Sequence, residues 1–281
     1  MSKASPNGVL NIDPISPEAF WRMLTPMRVY FRPKYYGLDR IDPNKPALLT
    51  GNHTLYGALD WPLYTAEIYR QRGVLVRSLT DRAHFRIPYW RDQLLRFGNV
   101  EGTPENCAAL MRARQHVLVF PGGAREICKR RGEQYKLTWK KRVGFARMAI
   151  QHQYPIQPFA SVGPDNTYDI VLDADDIRNS RVGKLLNLTG IPQKFLRNYD
   201  FIPPICRGLG LTILPRPERF YFMVGNPIST RKYRGKADDE DALWALREQA
   251  EDAINILIGR LLQLREQDQD RKSVRALLPW P

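Results

Sequence analysis

The sequence predicts an α/β protein: a largely parallel central sheet flanked by helices, with short amphipathic helices at the N-terminus and a long C-terminal helix. Two observations carry this expectation. Short apolar runs of strand length recur at "ALLTGN" (47–52), "VLVRSLT" (74–80), "HVLVFP" (116–121) and "IQPFASV" (156–162). Helix-like stretches separate them, and strands alternating with helices are what a parallel sheet needs, because each parallel pair requires a crossover. A site in such a sheet lies beyond the carboxyl ends of its strands.

Taken in order, Ser16-Pro17-Glu18 reads as an N-cap followed by proline at the first helical position. The segment it opens mixes Phe20, Trp21, Met23, Leu24, Met27, Tyr30 and Phe31 with Arg22, Arg28, Arg32 and Lys34, and Pro26 and Pro33 break it. Aromatics interleaved with cations suit an interfacial membrane helix. They suit equally a helix packed on the domain with its arginines in water. Asp60–Arg72 reads as helical, Thr103-Pro104 caps a helix through Arg112, and 137–152 reads as a further helix. Residues 163–218, rich in proline and glycine, interrupt the alternation as a loop-rich insertion, and "RFYFMVGNPI" (219–228) returns to the sheet. Asp238 caps a helix running to about Gln267, whose Leu243, Leu246, Ala250, Ala253, Leu257 and Leu261 share one face. The expected organisation is an N-terminal amphipathic segment (1–40), an α/β domain (41–237) and a C-terminal helix and tail (238–281).

Composition narrows the partners. With 43 basic and 29 acidic residues the net charge is +14, which favours nucleic acid, an acidic membrane surface or phosphate-bearing substrates. Cys107, Cys128 and Cys206 follow no metal spacing and suggest no disulfide framework. No run approaches the roughly 18–20 apolar residues that span a bilayer. The first sixteen residues lack the continuous apolar core of a secretory signal. The expected location is cytoplasmic, peripheral to the inner face of a membrane.

His53 lies where the first strand ends and Asp60 near the start of the following helix. Imidazole titrates near neutrality and can take a proton from a hydroxyl, while a carboxylate fixes its tautomer. Seven helical steps would bring the two to nearly one face but about 10 Å apart along the axis. Direct contact therefore needs the chain to fold back, which Gly57 permits. The alternative is a capping aspartate beside an unrelated loop histidine. The strand at 118–120 runs into Pro121-Gly122-Gly123, followed by Arg125, Lys129, Arg130 and Arg131. Paired glycines at a strand end let backbone N–H groups approach an anion, though a tight turn and a solvated basic face would read the same way. No Walker or dinucleotide signature accompanies them.

In order, the blocks "NHTLYGALD", "RFGNVEGTPEN", "FPGGARE" and "PIQPFASVG" resemble the glycerolipid, or lysophospholipid, acyltransferase family over about residues 45–230, and its diacylglycerol-acyltransferase-like bacterial branch in particular. The resemblance implies transfer of a fatty acyl group from a thioester, acyl-CoA or acyl carrier protein, to a lipid hydroxyl, with no other cofactor and no metal. It implies His53 as general base, Asp60 as its partner, and amides around Gly122 and Gly123 at the oxyanion. Arg125 and the basic turn with Lys129 and Arg130 would meet phosphates, and Asn52, Glu101 and Glu126 would join the substrate site. Two features depart from the family pattern. Six residues separate His53 from Asp60 where the family has four, and Gly122 stands where the family has glutamate, although Glu126 follows. The second departure tilts the implied acceptor away from lysophosphatidate, towards a less charged alcohol or another lysolipid.

Three rival readings remain, and one of them is a non-catalytic, anionic-lipid-binding relative, since both departures touch proposed site positions. The run 125–142 holds eight Lys/Arg, but no recognised nucleic-acid module accompanies it, so no nucleic acid is expected as partner. A hydrolase or transacylase would need a nucleophile, and no Gly-x-Ser-x-Gly elbow is present.

Overall fold

The structure, a computed structural model, describes residues 9–188 and 199–271. The ends of the expected N-terminal segment and C-terminal tail, and residues 189–198 of the expected insertion, lie outside them. Nine strands occur among the described residues: β1 (Lys34–Tyr36), β2 (Leu48–Gly51), β3 (Arg77–Thr80), β4 (Val100–Glu101), β5 (Val117–Val119), β6 (Ile156–Val162), β7 (Asp169–Leu172), β8 (Ile205–Arg207) and β9 (Tyr221–Val224). Seven form one sheet in the order β1-β9-β6-β2-β5-β3-β4, and β7 and β8 form a separate antiparallel pair. Every pairing in the large sheet is parallel except β6 with β9.

Side chains alternate across the sheet as a two-residue period demands. Leu48, Val117, Ile156, Ala160, Tyr221 and Met223 face one core, shared with the helices at Pro104–Arg112, Gly144–Gln151 and Glu240–Gln267. Leu49, Leu118, Phe159, Phe222 and Val224 face the other, shared with the helices at Pro17–Met23, Thr25–Phe31 and Trp61–Arg72. Helices thus cover both faces, as a parallel sheet requires.

Several expectations shift in detail. The helix expected at 137–152 begins only at Gly144, since Lys140 has φ 50°, outside the helical region, next to buried Trp139. The long helix is capped by Asp239, whose carboxylate accepts the Ala242 N–H at 3.1 Å; Asp238 points into solvent. At the N-terminus, Phe20, Leu24 and Phe31 are buried. Phe31 stacks on Phe220 at 4.1 Å, and Trp21 donates to Glu67 at 2.9 Å while Arg28 covers its ring. The aromatic residues of this segment are largely committed to the domain. No helix among the described residues is long and apolar enough to cross a membrane.

Candidate active site

β2 delivers His53 to the carboxyl edge of the sheet. Asn52 clamps the strand end there: its amide donates to the Ser161 carbonyl at 2.9 Å and accepts the Ser161 N–H at 2.8 Å. Asn52 is therefore a fully buried tie between β2 and β6, not a substrate ligand. The His53 ring lies flat on Phe120, with centroids 3.9 Å apart and planes 9° from parallel. It lines a cavity of about 360 Å³ together with Trp61, Trp90, Val119, Phe120 and Ile127. Among the described residues no lysine or arginine lines this cavity. Burial, reinforced by Lys129, holds the imidazole down to about 3, so the ring is neutral at physiological pH.

Gly57 supports the ring. Its φ is +60°, and a β-carbon there would overlap His53 Cε1 and lie 2.8 Å from Nε2 and 2.7 Å from Ile127. Both the backbone and the imidazole require glycine. Gly57→Ala is expected to displace the ring and lower kcat by about 10²-fold, the scale of an ångström of misplacement. Steady-state kinetics beside circular dichroism check this; a folded variant with wild-type kcat would show that ring placement is not limiting.

The direct His53–Asp60 contact does not form: His53 Nδ1 and Asp60 Oδ1 make no hydrogen bond to one another or to any other described residue. The intervening chain turns through a short 3-10 segment, Leu55–Gly57, in which Tyr56 has φ 59°. That turn lays the imidazole over Gly57 instead of towards the helix start. Asp60 is buried, and burial pushes its carboxyl up to about 6, against Thr54 and nearby backbone N–H groups. His53 Nδ1 and Asp60 Oδ1 are both enclosed with no hydrogen-bond partner among the described residues.

Glu126 fills the space beside Gly122 in which a side chain at that position would begin. Residues 122 and 126 are four apart, one helical turn. A β-carbon on Gly122 would overlap the Glu126 carboxylate and lie 2.5 Å from its Cβ. Glu126 is fully buried, and its Oε1 accepts the His53 backbone N–H at 3.1 Å. Burial pushes its carboxyl up to about 8, although Lys129 and the His53 N–H act in the opposite direction. Behind it, buried Lys129 stands 3.6 Å from Asp165, and Asp165 accepts the N–H groups of Leu55 at 2.7 Å and Tyr135 at 3.0 Å. Lys129 is thus an interior cation, not a surface phosphate ligand.

The remaining expectations are corrected by their partners. Arg125 is buried and grips Glu133 with both terminal nitrogens, one at 2.9 Å, with Asp200 at 3.4 Å, so it faces no phosphate site. Arg130 pairs with Asp175 at 2.9 Å, and Glu101 lies 3.6 Å from Arg82; neither lines the cavity. The Gly123 N–H is already taken by the Phe120 carbonyl at 3.0 Å, which removes it as an oxyanion donor. Arg142 donates to the Pro121 carbonyl at 2.9 Å and to that of Gly122, pinning the diglycine turn from outside. Much of the basic run at 125–142 therefore folds onto acids, with Arg131 on Asp176 and Lys140 on Asp200 as further cases. It is not a free basic stripe of the kind nucleic acid needs.

The sequence reading missed Phe120, Tyr56, Asp165 and Arg142. Only Phe120 carried a local signal, its place at the end of a strand beside the glycines. Ser78 and Thr80 put hydroxyls near the cavity wall; Thr80 donates to Asn99 at 2.9 Å. All three cysteines are buried, and burial pushes the thiols of Cys107 and Cys128 up to about 12 and 11, away from nucleophilic use.

Three of the four sequence blocks meet around one cavity, and the fourth, β6, backs it through the Asn52–Ser161 tie. That convergence, on a mainly parallel sheet with helices on both faces, defines a glycerolipid-acyltransferase-type α/β domain. Residues 32–162 match the family model described as Acyltransferase, and this segment is a domain of that family. Phytyl ester synthase 1, chloroplastic, of Arabidopsis thaliana is 31% identical over 246 residues, covering 84% of this chain and 35% of the relative. Diacylglycerol O-acyltransferase 2 of Dictyostelium discoideum is 30% identical over 177 residues, covering 59% of this chain and 50% of the relative. The chain thus spans about a third to a half of these relatives. The crystal structure of the 1-acyl-sn-glycerophosphate acyltransferase PlsC from Thermotoga maritima shares 13% identity at a TM-score of 0.45, covering 85% of this chain and 81% of that one.

Proposed function

We propose that this chain transfers a fatty acyl group from a thioester, acyl-CoA or acyl carrier protein, to the hydroxyl of an uncharged or weakly charged lipid alcohol. The observation that carries the acceptor class is the cavity wall, which among the described residues mixes apolar and aromatic side chains with Ser78, Thr80, Asn99 and the acid Asp81 but holds no lysine or arginine. A phosphate-bearing acceptor would be desolvated there without a counter-charge, which is costly. The relatives named for phytyl esters and for diacylglycerol acylation point the same way.

In this reading the neutral His53 imidazole takes the hydroxyl proton as the alcohol oxygen bonds to the thioester carbon. The tetrahedral oxyanion collapses, the C–S bond breaks, and the thiolate recovers the proton from the imidazolium. Ala124 lines the cavity in the first turn of its helix, and its N–H is the amide assigned to the oxyanion. Asp60 is assigned to the imidazolium: the unpartnered Nδ1 and Oδ1 would satisfy one another if ring or carboxylate swings, and burial makes that pairing favourable.

The test is incubation of pure protein with an acyl-CoA or an acylated carrier protein and a panel of long-chain alcohols, diacylglycerol, lysophosphatidylcholine and lysophosphatidate, read by mass spectrometry. Ester is expected with the uncharged alcohols first. Preference for lysophosphatidate would sink the acceptor assignment, and no ester from any pairing would sink the reaction. Labelling of Ser78 by a serine-directed probe, with loss of turnover, would favour a covalent mechanism instead.

A further inference from the structure

β7 and β8 form a lobe beside the cavity, and its free end is apolar. Beyond β8 the chain closes a tight turn, with the Gly208 N–H donating to the Thr212 carbonyl at 2.8 Å and the Leu209 N–H to the Leu214 carbonyl at 2.7 Å. At its tip Leu211 is 89% exposed, Ile213 82% and Leu214 59%. On the outer side of the β7–β8 pair, Val171 and Ile205 are exposed as well. The base is held firmly: Tyr30 donates to the Pro215 carbonyl at 2.7 Å, and Arg216 grips Asp169 at 2.7 and 2.8 Å. These are apolar side chains held out into water on a braced support.

The tip segment itself carries only cations, set against one carboxylate of β7. From Ile205 to Pro217 the sequence contains Arg207 and Arg216 and no acidic residue. Both guanidinium groups share one carboxylate, Asp169, with Arg207 at 3.6 Å. One positive charge therefore remains at the foot of the apolar tip. A protruding tip needs a deep complementary hollow to be buried by a folded protein. A lipid layer receives it without one, burying the apolar side chains while cations meet headgroup phosphates. The lobe also reaches the cavity, because Tyr56, on the cavity wall, donates to the Pro204 carbonyl at 2.7 Å and packs edge-on against Tyr168.

We infer that the turn at 205–217 is a membrane-docking element whose Leu211, Ile213 and Leu214 insert into an anionic lipid surface. The inference rests on the lipid-acceptor reading for its biological sense, but its test does not use turnover. The full chain is sedimented with vesicles of phosphatidylcholine alone and of equimolar phosphatidylcholine and phosphatidylglycerol, at low and high salt. The wild type is expected to bind the mixed vesicles, and more weakly as salt rises. A Leu211→Asp/Ile213→Asp double variant is expected to lose at least about tenfold in partitioning with an unchanged Tm, since both sites are exposed. Met23→Asp and Val29→Asp, at exposed positions of the N-terminal helices, are expected to bind as the wild type does.

Unchanged partitioning of the tip variant overturns the inference, as does transfer of the defect to the Met23 and Val29 variants. A wild type that binds neither vesicle, or a tip variant that only converts a dimer to a monomer, overturns it too. Tip-dependent binding by a chain that forms no ester supports this inference while removing the acyl-transfer reading.

Discussion

A folded His53→Ala variant is expected to lose turnover by about 10²-fold or more, the scale on which a general base contributes. The expectation rests on placement: the imidazole lies on the cavity wall, stacked on Phe120 and backed by Gly57. The pH dependence sharpens it. Burial lowers the ring to about 3, so kcat/KM should stay level as pH falls through 6.5 and decline only in more acidic solution. An acid limb at 6.5 would describe a hydrated imidazole and contradict the enclosed one. The Asp60 assignment is tested by the cycle with Asp60→Asn. If the two groups act as a unit, the double variant is no slower than His53→Ala alone. Independent, multiplying losses would leave Asp60 a structural carboxylate.

Glu126→Ala is expected to cost activity and stability together, whereas Glu126→Gln keeps most of both. Alanine removes the acceptor of the His53 N–H and opens a void against Gly122. A buried donor left unpaired costs about 1–3 kcal/mol, and the loop bearing the imidazole loses its anchor. Glutamine preserves shape and the acceptor oxygen. Since burial raises the carboxyl from 4.5 to about 8, the wild type carries a largely neutral Glu126 at pH 7, which the amide mimics. The folded value lies above the unfolded one, so the associated stability is present below 4.5 and is lost as pH rises through about 8. Denaturant midpoints of wild type and Glu126→Gln should therefore diverge over that interval, with the wild type losing ground. Parallel curves from pH 4.5 to 8 would mean that the carboxylate is ionised throughout.

Much of the fold was legible because burial on both faces makes inner strands continuous apolar runs; β6 coincides with "IQPFASV". The helix at Pro104–Arg112 was legible from its cap, where the Thr103 hydroxyl accepts the Asn106 N–H. β1 and β4 were not, since three and two residues of strand carry no periodicity and depend on a neighbour for their hydrogen bonds. The site divided along the same line. The positions of His53 and the diglycine turn at the sheet edge were legible because strand ends are visible locally. The fates of Arg125 and Lys129 were not, because the acids that claim them sit at 133, 165 and 200 and reach them only through tertiary folding. Glu126 is an intermediate case: its four-residue offset from Gly122 is plain in the sequence, but only a helical turn at 123–127 brings the two together.

β9 lies between β1 and β6, and the Glu240–Gln267 helix covers β6 with Leu243, Leu246, Ala250 and Ile254. β1, early in the chain, thus has its only place in the sheet beside a strand made almost two hundred residues later. A nascent polypeptide that has emerged only as far as β6 displays an open, apolar strand edge and an unroofed sheet, the kind of surface that chaperones recognise. Folding of this domain must wait for the ribosome to pass the family-matching segment by a wide margin, and a fragment cut to that segment would stay in the aggregation-prone state for good.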